Sequence, residues 1–151
     1  MQLTETILYA EDDPDEQFLV ARAFKKMLCP VEVRFVNDGT EAIHYVQGRG
    51  EYADRRRFPF PTVIFLDIKM PGTNGFEVLE WLKSNEAVKH IPVVMISSSE
   101  LPEDIERAYV QGASLYLVKL ADMKQLQKLF KVTGEFSCDH VEKPSTVLCG
   151  G

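Results

Sequence analysis

Cysteine is scarce in this chain and badly spaced for chemistry. Its three copies, Cys29, Cys138 and Cys149, form no C-x-x-C or C-x-x-H pair, which leaves zinc and dithiol motifs unsupported. An odd count, with no basic and apolar leader at Met1-Gln2-Leu3-Thr4-Glu5, fits a reducing cytoplasm. Long apolar runs are missing too, for nothing approaches the roughly 20 residues that cross a bilayer. Positive charge is in deficit: 17 Lys plus Arg stand against 23 Asp plus Glu, giving a net charge of -6. Such a chain offers a poor surface to nucleic-acid phosphates. The three histidines, His44, His90 and His140, are isolated in sequence. What is present is 151 residues, 45% of them hydrophobic, a length for one domain and enough apolar material for a proper core.

Four short, nearly continuous apolar runs set the fold class. Thr6–Ala10, Val63–Leu66, Val93–Ile96 and Leu115–Val118 read as strands buried on both faces. Val31-Glu32-Val33-Arg34-Phe35-Val36 alternates instead, as a strand near a sheet edge does. Between the runs the period becomes helical. Val20, Ala23, Phe24 and Met27 fall at i, i+3, i+4 and i+7, as do Gly75, Val78, Leu79 and Leu82. Met123, Leu126 and Phe130 repeat the pattern, Leu101, Ile105, Ala108 and Gly112 give a weaker stripe, and Thr40–Gln47 a short one. Asp13-Pro14-Asp15-Glu16 reads as N-cap, Pro at N1 and Glu at N3, and Pro102-Glu103-Asp104 opens a helix with acids in its first turn. Five strand–helix alternations predict an α/β fold, a parallel sheet with helices on both faces. Gly48–Pro61 is long for a connection and reads as a surface insertion, with Arg55-Arg56-Arg57 as a solvated basic loop. Periodicity stops after Gly134, so 1–134 is expected to be the domain and 135–151 a tail.

Chemistry collects at the strand exits. The first strand runs into Glu11-Asp12-Asp13, the third ends at Asp67, the fourth at Ser97-Ser98-Ser99 and the fifth at Lys119. Ligands of open parallel sheets bind outside the carboxyl ends of the strands, so these residues share one rim. Crowded carboxylates repel one another, and Mg²⁺ is the hard cation that takes one or two of them together with waters and a phosphate. With Lys119 as a second positive charge and Ser97 as a hydroxyl, the set describes a phosphoryl-binding site. A carboxylate is also able to act as a nucleophile and carry the phosphoryl group covalently, and Asp67, at the tip of the strand expected to be central, is the candidate. Asp13 is assigned to the helix cap rather than to a metal.

The sequence resembles the CheY-like receiver domains of two-component response regulators across roughly residues 4–134. The resemblance is carried by Ile7–Pro14, by Asp67-Ile68-Lys69-Met70-Pro71-Gly72-Thr73-Asn74-Gly75-Phe76-Glu77, by Pro92–Ser98 and by Gly112–Lys119, four pieces in order on the expected elements. It implies a (βα)5 doubly wound, flavodoxin/CheY-like sheet of strand order 2-1-3-4-5. It also implies roles for single residues. Glu11 and Asp12 match the Mg²⁺-binding acids, Asp67 the phosphoacceptor, and the Lys69 backbone carbonyl a further metal ligand. Ser97 matches the switch hydroxyl, Tyr116 the aromatic that moves with it, and Lys119 the phosphate-sensing lysine. Lys69 and Ser99 stand at the positions that influence how fast phosphate is lost.

The sequence departs from the pattern at Leu120, where the family usually has a proline after the lysine. A cis bond before leucine costs about 2.5–4 kcal/mol, so a trans Lys119–Leu120 bond or a locally altered loop is expected. The Gly48–Pro61 insertion, with Phe58-Pro59-Phe60-Pro61, makes the chain similar to regulators paired with bacterial phytochromes. That resemblance implies a sensor histidine kinase or phosphotransfer protein as partner. It also implies a homodimer through the last two helices and the C-terminal extension, where Leu129, Phe130, Val132 and Phe136 supply apolar contact. Cys29 is expected to pack at a helix end. The chain is expected to be a regulator, not an enzyme beyond chemistry on its own aspartate. Three other classes compete: a phosphorylation-independent module, a phosphohydrolase and a flavin-binding module. A phosphohydrolase would want a second acid where Lys69 stands, and flavin phosphate would be repelled by the acids after the first strand.

Overall fold

The five runs form one parallel sheet, and each strand lies within a residue of its apolar run. The computed structural model describes residues 5–26 and 31–119, and within them β1 (Glu5–Ala10), β2 (Val31–Val36), β3 (Val63–Asp67), β4 (Val93–Ser97) and β5 (Leu115–Val118). They pair in the order β2-β1-β3-β4-β5, the order the resemblance implies. Side chains alternate across the sheet, so the continuous apolar runs feed two cores at once. Ile7, Tyr9, Phe65, Ile96 and Leu117 point to one face, where Val20 and Phe24 of α1 (Pro14–Lys25) cover them. Leu8, Ala10, Ile64, Leu66 and Met95 point to the other. There they meet α2 (Gly39–Gln47), α3 (Gly75–Ser84) and α4 (Pro102–Val110). Every residue of β3, β4 and β5 is buried, whereas β2 is half-buried until Val36, which accounts for its alternation.

The helix ends follow from local chemistry. Asp13 caps α1 by accepting from the Asp15 N–H at 2.9 Å, with Pro14 opening the helix. Asp38 caps α2 through the Glu41 N–H at 2.7 Å. Asn74 and Glu77 form a reciprocal capping box on α3. Leu101, counted in the α4 stripe from sequence, instead precedes the helix as its N-cap and is exposed.

The insertion is not a solvated basic loop. It holds a single 3-10 turn (Gly50–Ala53) and packs its aromatics back on α2. Tyr45, Tyr52 and Phe58 have ring centroids 4.9–6.0 Å apart. Tyr45 donates its hydroxyl to the Pro59 carbonyl at 2.8 Å, and Tyr52 donates to Glu41 at 2.6 Å. Arg55 is drawn in. Its guanidinium donates to the Tyr45 and Val46 carbonyls at 2.9 Å each, at the C-terminus of α2, where the Tyr45 carbonyl also accepts the Gly48 N–H at 3.1 Å. Arg56 and Arg57 are exposed, as expected. Gly48 ends α2 in the left-handed region at φ 71°, which is why the chain can turn there into the insertion.

Several expectations lie outside the described residues: Met27 and Cys29, the stripe Met123–Phe130, the Lys119–Leu120 bond, the tail with Cys138, His140 and Cys149, and the dimer surface of Leu129, Phe130, Val132 and Phe136.

Candidate functional site

Strand register brings the predicted residues to one rim. Ala10 pairs with Leu66, so Glu11 leaves β1 beside Asp67 at the end of β3. Asp67 pairs with Ile96 and Ser97 with Val118, which puts the ends of β4 and β5 next along. Lys119 then donates its backbone N–H to the Ser97 carbonyl at 2.8 Å, fixing the start of a side chain that reaches back across β4. Gly75 lets the N-terminus of α3 sit on this end of β3: a Cβ there would collide with the Asp67 carbonyl oxygen.

The ammonium of Lys119 is the centre of the site. It donates to Asp67 Oδ2 at 2.6 Å, to Glu11 Oε1 at 2.9 Å and to Glu16 Oε2 at 2.6 Å. Asp67 Oδ1 accepts the Lys69 N–H at 3.1 Å. Glu11 and Asp67 are buried, at 1% and 4% exposure, while Asp12 is exposed. Glu11, Asp12 and Asp67 each present an oxygen within 4.8 Å of the others. Three carboxylates with hard oxygen donors are the ligand chemistry of a divalent cation that keeps part of its water shell, so the residues fit Mg²⁺.

Burial and charge act in opposite senses here. Burial lifts the Asp67 carboxyl above its ordinary range, and the Lys119 ammonium and the Lys69 N–H only partly offset it, while the nearby Asp12 charge adds to the rise. At Lys119 burial disfavours the charge, but Asp67 and Glu16 outweigh it and the pKa is raised. Both ends of the ion pair are thus raised, Asp67 because burial outweighs its single ammonium and Lys119 because two carboxylates outweigh burial.

The residues expected to act as the switch form a second chain of contacts. Ser97 is buried, and its Oγ accepts the Ser99 N–H at 3.0 Å. Ser99 Oγ donates to Asp104 Oδ2 at 2.6 Å, in the first turn of α4. Tyr116 is fully buried, and its hydroxyl donates to the Ser99 carbonyl at 2.9 Å. Burial raises the Tyr116 phenol pKa. Lys69 itself is exposed.

Glu16 was not foreseen at this site. At N3 of a helix it fits a capping box, yet its carboxylate goes to Lys119, and the Asp13 N–H is directed at Glu11 Oε2 at 3.5 Å instead. The two partners are 103 residues apart, and no local signal announces the contact. The Ser99–Asp104 bond was missed as well, although a hydroxyl shortly before a helix with acids in its first turn is a usable hint.

Residues 7–131 match the response regulator receiver domain family. The chain belongs to that family. Response regulator Rcp1 of Synechocystis sp. is 31% identical over 141 residues, 93% of this chain and 94% of the relative. Its Mn²⁺-bound crystal structure superposes with a TM-score of 0.73 at 32% identity, covering 93% and 99% of the two chains. A response regulator in red light signaling of R. palustris gives a TM-score of 0.77 at 31% identity, covering 93% and 99%. The phosphorylated cyanobacterial phytochrome response regulator RcpA gives 0.75 at 34%, covering 95% and 100%. A receiver of two-component signalling is therefore the class, a regulatory one, and the expected fold and strand order hold. Among the described residues no helix is long and apolar enough to cross a membrane.

Proposed function

We propose that this receiver is a phosphorylation switch acting downstream of a phytochrome-type sensor histidine kinase, or of a phosphotransfer protein, with Asp67 as acceptor. One observation carries the assignment. Asp67 is a buried carboxylate at the end of the central strand, held by the Lys119 ammonium and the Lys69 N–H, with Glu11 and Asp12 in ligand range. The red-light and phytochrome functions of the similar regulators support the choice of kinase.

In this reading a carboxylate oxygen of Asp67 attacks the phosphorus of a phosphohistidine. The new P–O bond forms as the P–N bond breaks, and the imidazole nitrogen keeps the electron pair. Glu11, Asp12, Asp67 and the Lys69 carbonyl would hold Mg²⁺, which when bound would neutralise charge on the transferring group. Lys119 supplies the second positive charge to the phosphoryl oxygens. Ser97 then turns its hydroxyl toward the phosphate and gives up the Ser99 N–H. That loosens the Ser99–Asp104 and Ser99–Tyr116 contacts that tie the β4–α4 loop to α4 and β5, and an existing two-state equilibrium shifts. Residues 1–134 form the receiver unit and 135–151 its extension. The protein works in the cytoplasm, and a homodimer through the last two helices and the extension completes it.

The test is intact-protein mass after incubation with acetyl phosphate, with Mg²⁺ or with EDTA, beside Asp67→Asn. A gain of about 80 Da that needs both Mg²⁺ and Asp67 is expected for one phosphoryl group replacing a proton. A folded wild-type chain that gains nothing from acetyl phosphate or from a phosphorylated kinase would instead be a phosphorylation-independent module.

A further inference from the structure

Three acids share one ammonium at this rim, and they are not equivalent. Glu11 has a side chain 2% exposed and Asp67 one 6% exposed, whereas Glu16 is 37% exposed. Losing Lys119 would leave Glu11 as a buried charge short of its cation, which is costly. Glu16 would simply hydrate. Its charge would also remain in the first turn of α1, where the helix dipole favours an anion. The contact is nonetheless as short as that to Asp67, 2.6 Å in both cases, and Glu16 has no part in capping the helix.

We propose that Glu16 is a positioning residue for Lys119: it shares the ammonium with Asp67 and Glu11 in the resting receiver and is the partner released when a phosphoryl group arrives. The inference rests on the phosphoacceptor reading above and adds a residue to it. Adding a phosphoryl group gives the rim one more negative charge. The only partner that can then surrender Lys119 at little cost is the one open to water. In the resting state Glu16 has a second effect. By drawing part of the ammonium charge toward α1, it leaves Glu11, Asp12 and Asp67 more negative and so better disposed toward a divalent cation.

Two variants separate positioning from mere charge. Glu16→Gln removes the anion. Glu16→Asp keeps it, and keeps an acid in the first helical turn, but shortens the side chain by one methylene so that it falls short of Lys119. Mg²⁺ affinity is followed by the amide NMR shifts of Asp12 and Lys69, and acetyl phosphate labelling by mass at saturating Mg²⁺. Both variants are expected to weaken Mg²⁺ binding about 3- to 10-fold, as the ammonium settles on Glu11 and Asp67, and at saturating Mg²⁺ to speed labelling by a similar factor, as the ammonium no longer has Glu16 to leave before it meets the phosphoryl oxygens. Wild-type Mg²⁺ affinity within about twofold in Glu16→Gln would overturn the proposal. So would wild-type behaviour of Glu16→Asp beside an altered Glu16→Gln, because charge at a distance would then suffice. A helix-cap role would move thermal stability and leave the Mg²⁺ affinity alone, which also counts against it. The Mg²⁺ titration needs no phosphorylation, so a chain that takes no phosphate would sink the acceptor reading while this result still decided the role of Glu16.

Discussion

Two cations organise two ends of this molecule, and their surroundings differ in kind. Arg55 in the insertion donates to the Tyr45, Val46 and Phe58 carbonyls. Its guanidinium also lies 5.7 Å from the Tyr45 ring centroid and 5.2 Å from that of Phe60. These partners are neutral, fixed and matched to a planar fork, so nothing is gained if Arg55 moves. Lys119 is a point charge divided among three anions, and a fourth anion placed within reach redistributes it. The first arrangement ties the insertion to the C-terminal carbonyls of α2. The second is deliberately unfinished, a group of acids short of positive charge. A receiver needs both, a rigid frame and a site whose charge balance is completed by its input.

Breaking the Arg55 side of that contrast should have the largest effect on stability. Arg55→Ala is expected to cost about 2 kcal/mol in urea unfolding, because the Val46 and Phe58 carbonyls lose the guanidinium, the Tyr45 carbonyl keeps only the Gly48 N–H, and the Tyr45 and Phe60 rings lose their cation. Arg55→Lys should recover less than half of that, since one ammonium does not span two carbonyls as the fork does. Labelling at Asp67 should be unchanged in both. An Arg55→Ala chain as stable as wild type would mean that water replaces the guanidinium at these carbonyls and that the aromatic packing alone holds the insertion.

The Lys119 side predicts the opposite sign. Burial raises the Asp67 pKa above its ordinary 3.8, so the folded chain binds that proton more tightly than the unfolded one. The stability so conferred is complete below the unfolded value and lost as pH rises through the raised one. At neutral pH the ionised carboxylate is therefore a net cost. Without Mg²⁺, Asp67→Asn should melt higher than wild type near pH 7.5. The gap should close as pH falls toward 4. A lower melting point for Asp67→Asn at pH 7.5 would show that the Lys119 pair outweighs burial.

The same contrast explains what could be read from the sequence. Strands buried on both faces announce themselves as apolar runs, and Glu11, Asp67, Ser97 and Lys119 follow because each is the first polar residue where a run ends. Asp13 was legible as a cap because its Pro14 and Asp15 neighbours are local. Arg55 was misread because three consecutive arginines look alike in a sequence, and only the folded α2 terminus distinguishes the first. Glu16 was missed for the related reason that its partner comes from the last described strand. A residue's reach across the sheet is a property of register, and register is not written in any one segment.

Lys69 offers the finest test of the unfinished site. Its backbone N–H holds Asp67 Oδ1, and that bond survives truncation of the side chain. Its ammonium is exposed and stands two residues from the proposed acceptor, from where it would pair with phosphoryl oxygens or obstruct the water that attacks them. Both actions prolong the acyl phosphate, so Lys69→Ala should speed autodephosphorylation about 3- to 5-fold, equivalent to roughly 0.6–1 kcal/mol of barrier. Stability should stay within about 0.5 kcal/mol of wild type, as for other exposed side chains. That pairing of results would be the reverse of Arg55→Ala, which alters stability and leaves the chemistry alone. An unchanged decay curve would remove Lys69 from the rim's charge balance and leave Lys119 to meet the phosphoryl group without it.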